Sequence, residues 1–159
     1  MIFVTVGSQK FQFNRLLISI DKLIEQNKIT EEVFAQIGYS DYKPKNFKFK
    51  EFMDREEFNE IMQKADKVIT HGGTGAIVGA IKKGKKVIVI PRLAEFCEHV
   101  DNHQLQIAEE FTKQHFIIAI SEIGELQNAI EQLNTYEFRM YKSSTENILK
   151  SIEGFIESL

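Results

Sequence analysis

The residues best suited to chemistry are His71-Gly72-Gly73-Thr74-Gly75, which join a strand-like run to a helix-like one. Glycines allow close backbone approach and unusual dihedrals. The free N–H groups at a helix start, backed by its dipole, favour an anion. Thr74 adds a hydroxyl and His71 a ring N–H. The plain alternative is a tight turn shaped by glycine. A second cluster, Glu98-His99-Val100-Asp101-Asn102-His103-Gln104, enters another helix. Its Asp, Asn and Gln side chains both accept and donate hydrogen bonds, which suits the hydroxyls of a sugar. Two other readings stand beside that one. Asp101 can simply cap the helix, and Cys97, His99, Asp101 and His103 can be metal ligands, although no second Cys/His group with ligand spacing is present. Gly7-Ser8-Gln9 ends the first strand and can donate to a phosphate across the same cleft.

These motifs exclude two common phosphate sites. Gly84-Lys85-Lys86 is followed by Val87, so there is no P-loop. The first strand ends in a single glycine with no Gly-x-Gly-x-x-Gly behind it, which disfavours nicotinamide and flavin dinucleotides. A diphosphate of another kind remains. No Asp-x-Asp metal signature occurs, and no cofactor is expected. Cys97 is the only cysteine. It has no activating pair in view and reads as an inert residue in a reducing compartment.

The elements that must hold these residues alternate. Ile2 to Val6 reads as a buried strand, and Phe13 to Asn27 as an amphipathic helix through Leu16, Leu17, Ile20, Leu23 and Ile24. Glu32 to Ile37 is a strand, Tyr39 to Asn46 a loop, and Phe47 to Phe52 an edge strand of alternating Phe and Lys. Asp54, with Glu57 three residues on, starts a helix to Ala65. A strand from Lys67 to Thr70 feeds the His71 loop, and a short helix from Ala76 to Lys83 follows, with Gly84 as its C-cap. Val87 to Ile90 is an apolar run without alternation, the mark of a strand covered on both faces. Val100 to Lys113 is a helix, Phe116 to Ile120 a strand, Glu122 to Leu133 a helix and Thr145 to Ser158 the last helix. This order predicts one α/β domain over residues 1–159, a Rossmann-like, doubly wound parallel sheet with right-handed crossovers. Ligands of such sheets bind beyond the carboxyl ends of the strands, where the loops at Gly7, Thr70 and Pro91 lie.

Composition narrows the partners. A net charge of −3 over 159 residues argues against nucleic acid, whose binding domains carry a basic excess. The Lys82-Lys83 and Lys85-Lys86 cluster can still face an anion. The first residues read as a strand, not a signal peptide, and no run approaches the length of a membrane span. The expectation is a cytoplasmic protein.

Phe3-Val4-Thr5-Val6-Gly7-Ser8, Val68 to Gly75 and Asp101-Asn102-His103-Gln104 together resemble a glycosyltransferase family, the group related to the C-terminal half of the bacterial lipid II-forming GlcNAc transferase. The resemblance spans nearly the whole chain. It is strongest to free-standing members, the soluble subunit of the dolichol-pathway GlcNAc transferase and bacterial capsule or exopolysaccharide subunits. It implies the donor-binding, C-terminal half of a GT-B fold split over two chains. A membrane-associated subunit would bind a lipid-linked saccharide acceptor and recruit this chain to the inner face of the membrane. By matching position, His71 and Gly72 to Gly75 would hold the diphosphate of a UDP-sugar, with His71 stabilising the leaving group. Ser8 and Gln9 would close the phosphate side, and the backbone at Phe52 and Met53 would border the uracil. Asn102, His103 and Gln104 would lie near the sugar, UDP-galactose or UDP-GlcNAc, with Gln104 as the first candidate for a hydroxyl contact. The resemblance leaves the general base to the partner. One position departs: many relatives carry a ribose-binding glutamate eight residues after the histidine, where this chain has Gly79. A non-catalytic nucleotide-sugar-binding accessory subunit, and a plain interaction module with a vestigial cleft, are the rival readings.

Overall fold

The apolar runs pair into one sheet. In the computed structural model, which describes residues 1–142 and 145–158, six strands run parallel in the order β3-β2-β1-β4-β5-β6. They are β1 (Ile2–Thr5), β2 (Val33–Gln36), β3 (Lys48–Lys50), β4 (Lys67–Thr70), β5 (Lys86–Val89) and β6 (Ile118–Ala119). The helices between them are α1 (Asn14–Glu25), α2 (Arg55–Lys64), α3 (Thr74–Lys82), α4 (His103–Lys113), α5 (Leu126–Gln132) and α6 (Glu146–Glu157).

Successive residues of a strand point to opposite faces, and each central strand divides its side chains in that way. Ile2, Val4, Val6, Ile69, Ile88 and Ile90 pack in one layer with Leu16, Leu17, Ile20 and Leu23 of α1 and with Leu126, Ala129 and Ile130 of α5. Phe3, Val68, Val87 and Val89 pack in the other with Met62 of α2, Ile77 and Ile81 of α3, Ile107 and Phe111 of α4, and Leu149, Ile152 and Ile156 of α6. Full burial of one such side chain contributes about 1.5–3 kcal/mol. The apolar stripe of α6 therefore belongs to its own sheet, and only Phe155 is left largely outside.

Several boundaries differ from the sequence-based expectation, among them the strand expected over Phe47 to Phe52, which shrinks to Lys48–Lys50. The helix expected from Val100 begins at His103, because the Asp101 carboxylate accepts the His103 N–H at 2.9 Å and holds the preceding residues in a bend. The strand expected over Phe116 to Ile120 shrinks to Ile118–Ala119 at the sheet edge. The helix expected from Glu122 begins as a 3-10 turn, Ile123–Glu125, before α5. The helix after the His71 loop starts two residues early, since Gly73 takes the N-cap position. The Asp54 cap of α2 forms as expected, its carboxylate accepting the Glu57 N–H at 2.8 Å. Gly84 closes α3 with φ at +71°.

One charged residue interrupts the buried stripe of α1. Asp21 is almost fully buried and accepts the Lys45 and Asn46 N–H groups at 2.8 and 2.9 Å and the Tyr42 hydroxyl at 2.6 Å. That bond holds the Tyr42 hydroxyl proton so firmly that its pKa rises to about 12. The carboxylate thereby fixes the loop that delivers β3 to the sheet edge.

Candidate functional site

Beyond the carboxyl ends of β1, β2 and β4 lies a cleft of about 540 Å³, within the usual range for small-molecule sites. Of the residues singled out in the sequence, Gly7, Ser8, Gln9, Met53, His71, Gly73 and Gly75 line it. Thr5, Gln36, Arg55, Phe58 and Ala76 complete the lining. A broader groove of about 740 Å³ along the outer face of α2 is bounded by exposed side chains such as Arg55, Glu60 and Lys83. No buried polar group converges there, as several do at the strand ends.

His71 is the centre of the strand-end cleft. It follows β4 directly, and only 6% of it is exposed. Its ring fits between two glycines. A Cβ on Gly7 would lie 2.6 Å from Nε2, and one on Gly73 would lie 2.2 Å from Cε1. Gly7 also has φ at +78°, a conformation glycine adopts without steric cost. Gly72 is crowded for a different reason, since its Cβ would meet Gln104 Cβ at 2.5 Å. Each of these three glycines thus makes room for a side chain.

Burial, followed by the nearby Arg92 charge, pushes the His71 pKa down to about 3. The ring is therefore neutral at pH 7, with one donor and one acceptor nitrogen. Gln104 decides which is which. Its Oε1 accepts the Gly72 N–H at 3.1 Å and the Arg92 N–H at 3.0 Å. Its Nε2, 3.2 Å from His71 Nδ1, is then the donor. His71 Nδ1 accepts, and Nε2 carries the proton toward Gly7. Gly73 has no side chain to cap α3, so the first-turn N–H groups stay available to an anion. His71 and the first residues of α3 thus line the same cleft.

The second cluster has a different role from the one expected. Gln104 is buried, and its amide is engaged by Gly72, Arg92 and His71. It acts beneath the His71 loop and is not presented to a sugar hydroxyl. Asn102 Oδ1 accepts the Ala94 N–H at 2.9 Å. Asp101 takes the His103 N–H, and His99 Nδ1 stands 3.2 Å from Asp101 Oδ1. Asp101 and Asn102 are exposed and His103 half-buried. None of Asp101, Asn102, His103 and Gln104 lines the cleft; these contacts brace the loop after β5. No three His, Cys, Asp or Glu side chains among the described residues gather as metal ligands. Phe52 sits outside the lining, edge-on to Tyr39 at 5.1 Å between ring centroids. Thr74 is half-buried in the first turn of α3.

The same loop hides a cation that the sequence did not mark. Arg92 is fully buried. Its guanidinium donates to the carbonyls of Phe11 and Gln12 at 2.9 and 3.2 Å, of Glu98 at 3.2 Å, and of Val6. Burial lowers its pKa to about 10, which leaves it charged at neutral pH. Glu98, also fully buried, takes both Arg15 Nε and Nη2 at 3.0 Å and the Leu93 N–H at 3.0 Å. The residues after β1 and after β5 are thereby locked together around His71. An arginine behind a proline carries no periodic signal, so its burial could not be read in advance. Gln36 had one weak signal, a polar residue closing an apolar strand.

Residues 1–159 match the model of the glycosyltransferase family 28 C-terminal domain. The UDP-N-acetylglucosamine transferase subunit ALG13 of Yarrowia lipolytica is 33% identical over 94 residues, 57% of this chain and 45% of that protein. ALG13 of Homo sapiens is 29% identical over 120 residues, 71% of this chain and 10% of that protein. The chain thus spans less than half the length of these curated relatives. The NMR solution structure of ALG13 superposes with a TM-score of 0.61 at 18% identity, covering 93% of this chain and 94% of that one. The crystal structure of Acinetobacter baumannii MurG gives a TM-score of 0.59 at 15% identity over 95% of this chain and 49% of that one. At such identities the likeness is one of fold.

Proposed function

The chain belongs to the glycosyltransferase family 28 C-terminal domain family, and on that premise we propose that it is the donor-binding half of a UDP-sugar-dependent glycosyltransferase. The observation that carries the reading is the neutral His71 ring, held between Gly7 and Gly73 with its Nε2 proton toward the cleft, beside the uncapped start of α3. Such a site suits the diphosphate of a leaving group. As an acceptor oxygen attacks the sugar anomeric carbon, the bond from that carbon to the diphosphate oxygen breaks and its electron pair leaves with UDP. Preorganised donors stabilise the charge that develops there. The acceptor proton goes to a base on the partner half.

The nucleotide would run from Met53, at the base, to His71 and Gly75, at the diphosphate. The sugar would extend toward the 101–103 stretch, which Gln104 ties to the phosphate loop. Relatives named as UDP-N-acetylglucosamine transferase subunits favour UDP-GlcNAc over UDP-galactose as donor. A lipid-linked saccharide of capsule or exopolysaccharide synthesis is the proposed acceptor, supplied by a membrane-associated second subunit. Membrane contact is assigned to that subunit in this reading; no helix among the described residues is long and apolar enough to cross a membrane.

The test is a donor screen on the chain co-expressed with its acceptor-binding subunit, with His71→Ala as control. Transfer from one UDP-sugar, cut at least about tenfold by the substitution, is expected for a residue that stabilises the leaving group. Transfer unchanged by His71→Ala rejects the role. The accessory-subunit reading draws on Gly79, which offers no ribose carboxylate. Transfer by the second subunit alone, merely enhanced by this chain, would establish that reading instead.

A further inference from the structure

Gln36 closes β2, is 6% exposed, and lines the strand-end cleft. Its Oε1 is buried with no hydrogen-bond partner among the described residues. Buried acceptors are nearly always paired, so an orphan on a side chain that lines a cleft marks a place where a ligand donor fits once the amide turns toward it. We propose that Gln36 is the ribose-binding residue of this cleft, accepting a pentose hydroxyl through Oε1. The inference rests on the nucleotide-sugar reading given above.

Sheet order supports this position. Along the carboxyl rim, β3, β2, β1 and β4 present Met53, Gln36, Gly7 and His71 in turn. A nucleotide with its base at Met53 and its diphosphate at His71 must carry its pentose between them. The register aligns Gln36 with Thr5 and Thr5 with Thr70. Adjacent strands lie about 4.8 Å apart, so two spacings separate Gln36 from the strand that ends at His71, a gap that a pentose 5′-phosphate bridges. Across the cleft, Gly75 and Ala76 of α3 line the wall. One turn on, at the next position of that face, Gly79 has no side chain to offer. The hydroxyls therefore meet an acceptor on β2 and none on α3. An amide also adds no negative charge beside a diphosphate, whereas a carboxylate would.

The experiment is a titration of the full chain, followed by NMR at millimolar ligand, with UDP, 2′-deoxy-UDP, 3′-deoxy-UDP and inorganic pyrophosphate. The wild type is expected to prefer UDP over at least one deoxy form by roughly three- to tenfold, the worth of one hydrogen bond. Gln36→Met, an unbranched side chain of similar length, is expected to abolish that preference and leave pyrophosphate binding unchanged. Gln36→Glu, which keeps an acceptor and makes it stronger, is expected to widen the preference, and it serves as the test if Gln36→Met does not fold. Wild-type indifference to the hydroxyls overturns the proposal, as does a preference that Gln36→Met retains or that Gln36→Glu leaves unchanged. In each of those cases UDP binding, and with it the nucleotide reading, survives. Failure of the wild type to bind UDP at all removes both.

Discussion

Gln104 Nε2 donates to His71 Nδ1 across 3.2 Å, and the direction of that bond is set at the other end of the same amide, where two backbone N–H groups converge on Oε1. The segment expected to read the sugar instead sets the tautomer of the residue expected to grip the phosphate. Gln104→Glu puts this to the test. A carboxylate still accepts the Gly72 and Arg92 N–H groups, but it cannot donate to Nδ1. It draws a proton onto Nδ1 and raises the His71 pKa by about one to three units. Imidazole ¹⁵N shifts, which report the Nε2–H tautomer directly, should move to the Nδ1–H or doubly protonated pattern. Retention of the wild-type shifts would refute the assignment.

Gly73→Ala should act through the same ring. Its backbone has φ at −77°, which alanine accepts, so the substitution changes only space. The new Cβ would lie 2.2 Å from His71 Cε1, and the ring must leave its place. In the reconstituted pair, turnover is expected to fall about as far as in His71→Ala. The double variant should be no worse than either single one, since two residues acting as a unit are non-additive. Independent, multiplying losses would mean that Gly73 serves the ligand and not the ring.

Acid sensitivity follows from the depressed His71 pKa. Burial and the Arg92 charge hold it near 3, against about 6.5 in the unfolded chain. Between those values the unfolded chain binds a proton that the folded one refuses. The His71 contribution to stability is therefore whole above pH 6.5. It is lost on acidification at up to about 1.4 kcal/mol per pH unit, until the pH nears 3. From pH 7 to pH 5 that amounts to about 2 kcal/mol. Urea unfolding of wild type and His71→Gln at the two pH values isolates this share, because the carboxylates titrate alike in both. Equal acid losses would show that His71 accepts a proton in the folded state.

Arg92 is the mechanical link between the two loops that enclose His71. Arg92→Met removes the donor to the carbonyls of Val6, Phe11, Gln12 and Glu98, while Glu98 keeps its pair with Arg15. Removal of one buried charged partner of this kind costs about 3 kcal/mol or more. For a chain of this size that corresponds to a fall in Tm of roughly 6–12 °C. Arg92→Lys should recover little, because an ammonium cannot reproduce the spread of a guanidinium. Scanning calorimetry of the three proteins decides the matter. A shift of 1–2 °C would mean that water satisfies those carbonyls.

The contrast between Arg92 and the apolar strands shows what was legible in the sequence. The run from Val87 to Ile90 and the spacing of α1 carry their burial in their period, so the layers and the parallel sheet followed from pattern alone. So did the convergence of Gly7, His71 and Gly73, because the loops that carry them follow β1 and β4. The use made of Asp101 to Gln104 did not follow. An exposed sugar contact and an inward brace call for the same polar residues at the same helix start, and only the positions of Gly72 and Ala94, 32 and 8 residues away in sequence from Gln104 and Asn102, tell them apart. Asp21 was hidden for a related reason, as a single carboxylate on an apolar stripe whose partners, Tyr42 to Asn46, belong to a loop without period.

Gly79 provides the last prediction, because stability and binding part there. A Cβ at this position meets nothing within 4 Å among the described residues, so the packing there does not demand the glycine. Replacing glycine by glutamate inside α3 should stabilise the helix by about 0.5 kcal/mol, which raises Tm slightly. If the resemblance in this part of the chain extends to function, the new carboxylate also reaches the ribose, and UDP binds at least roughly tenfold more tightly, as expected for a hydrogen bond to a charged acceptor. Calorimetry and a UDP titration of Gly79→Glu measure the two effects separately. A stabilised variant that binds UDP no better would place the pentose away from α3. One that binds better in the Gln36→Met background as well would mean that the two walls of the cleft can each supply the acceptor.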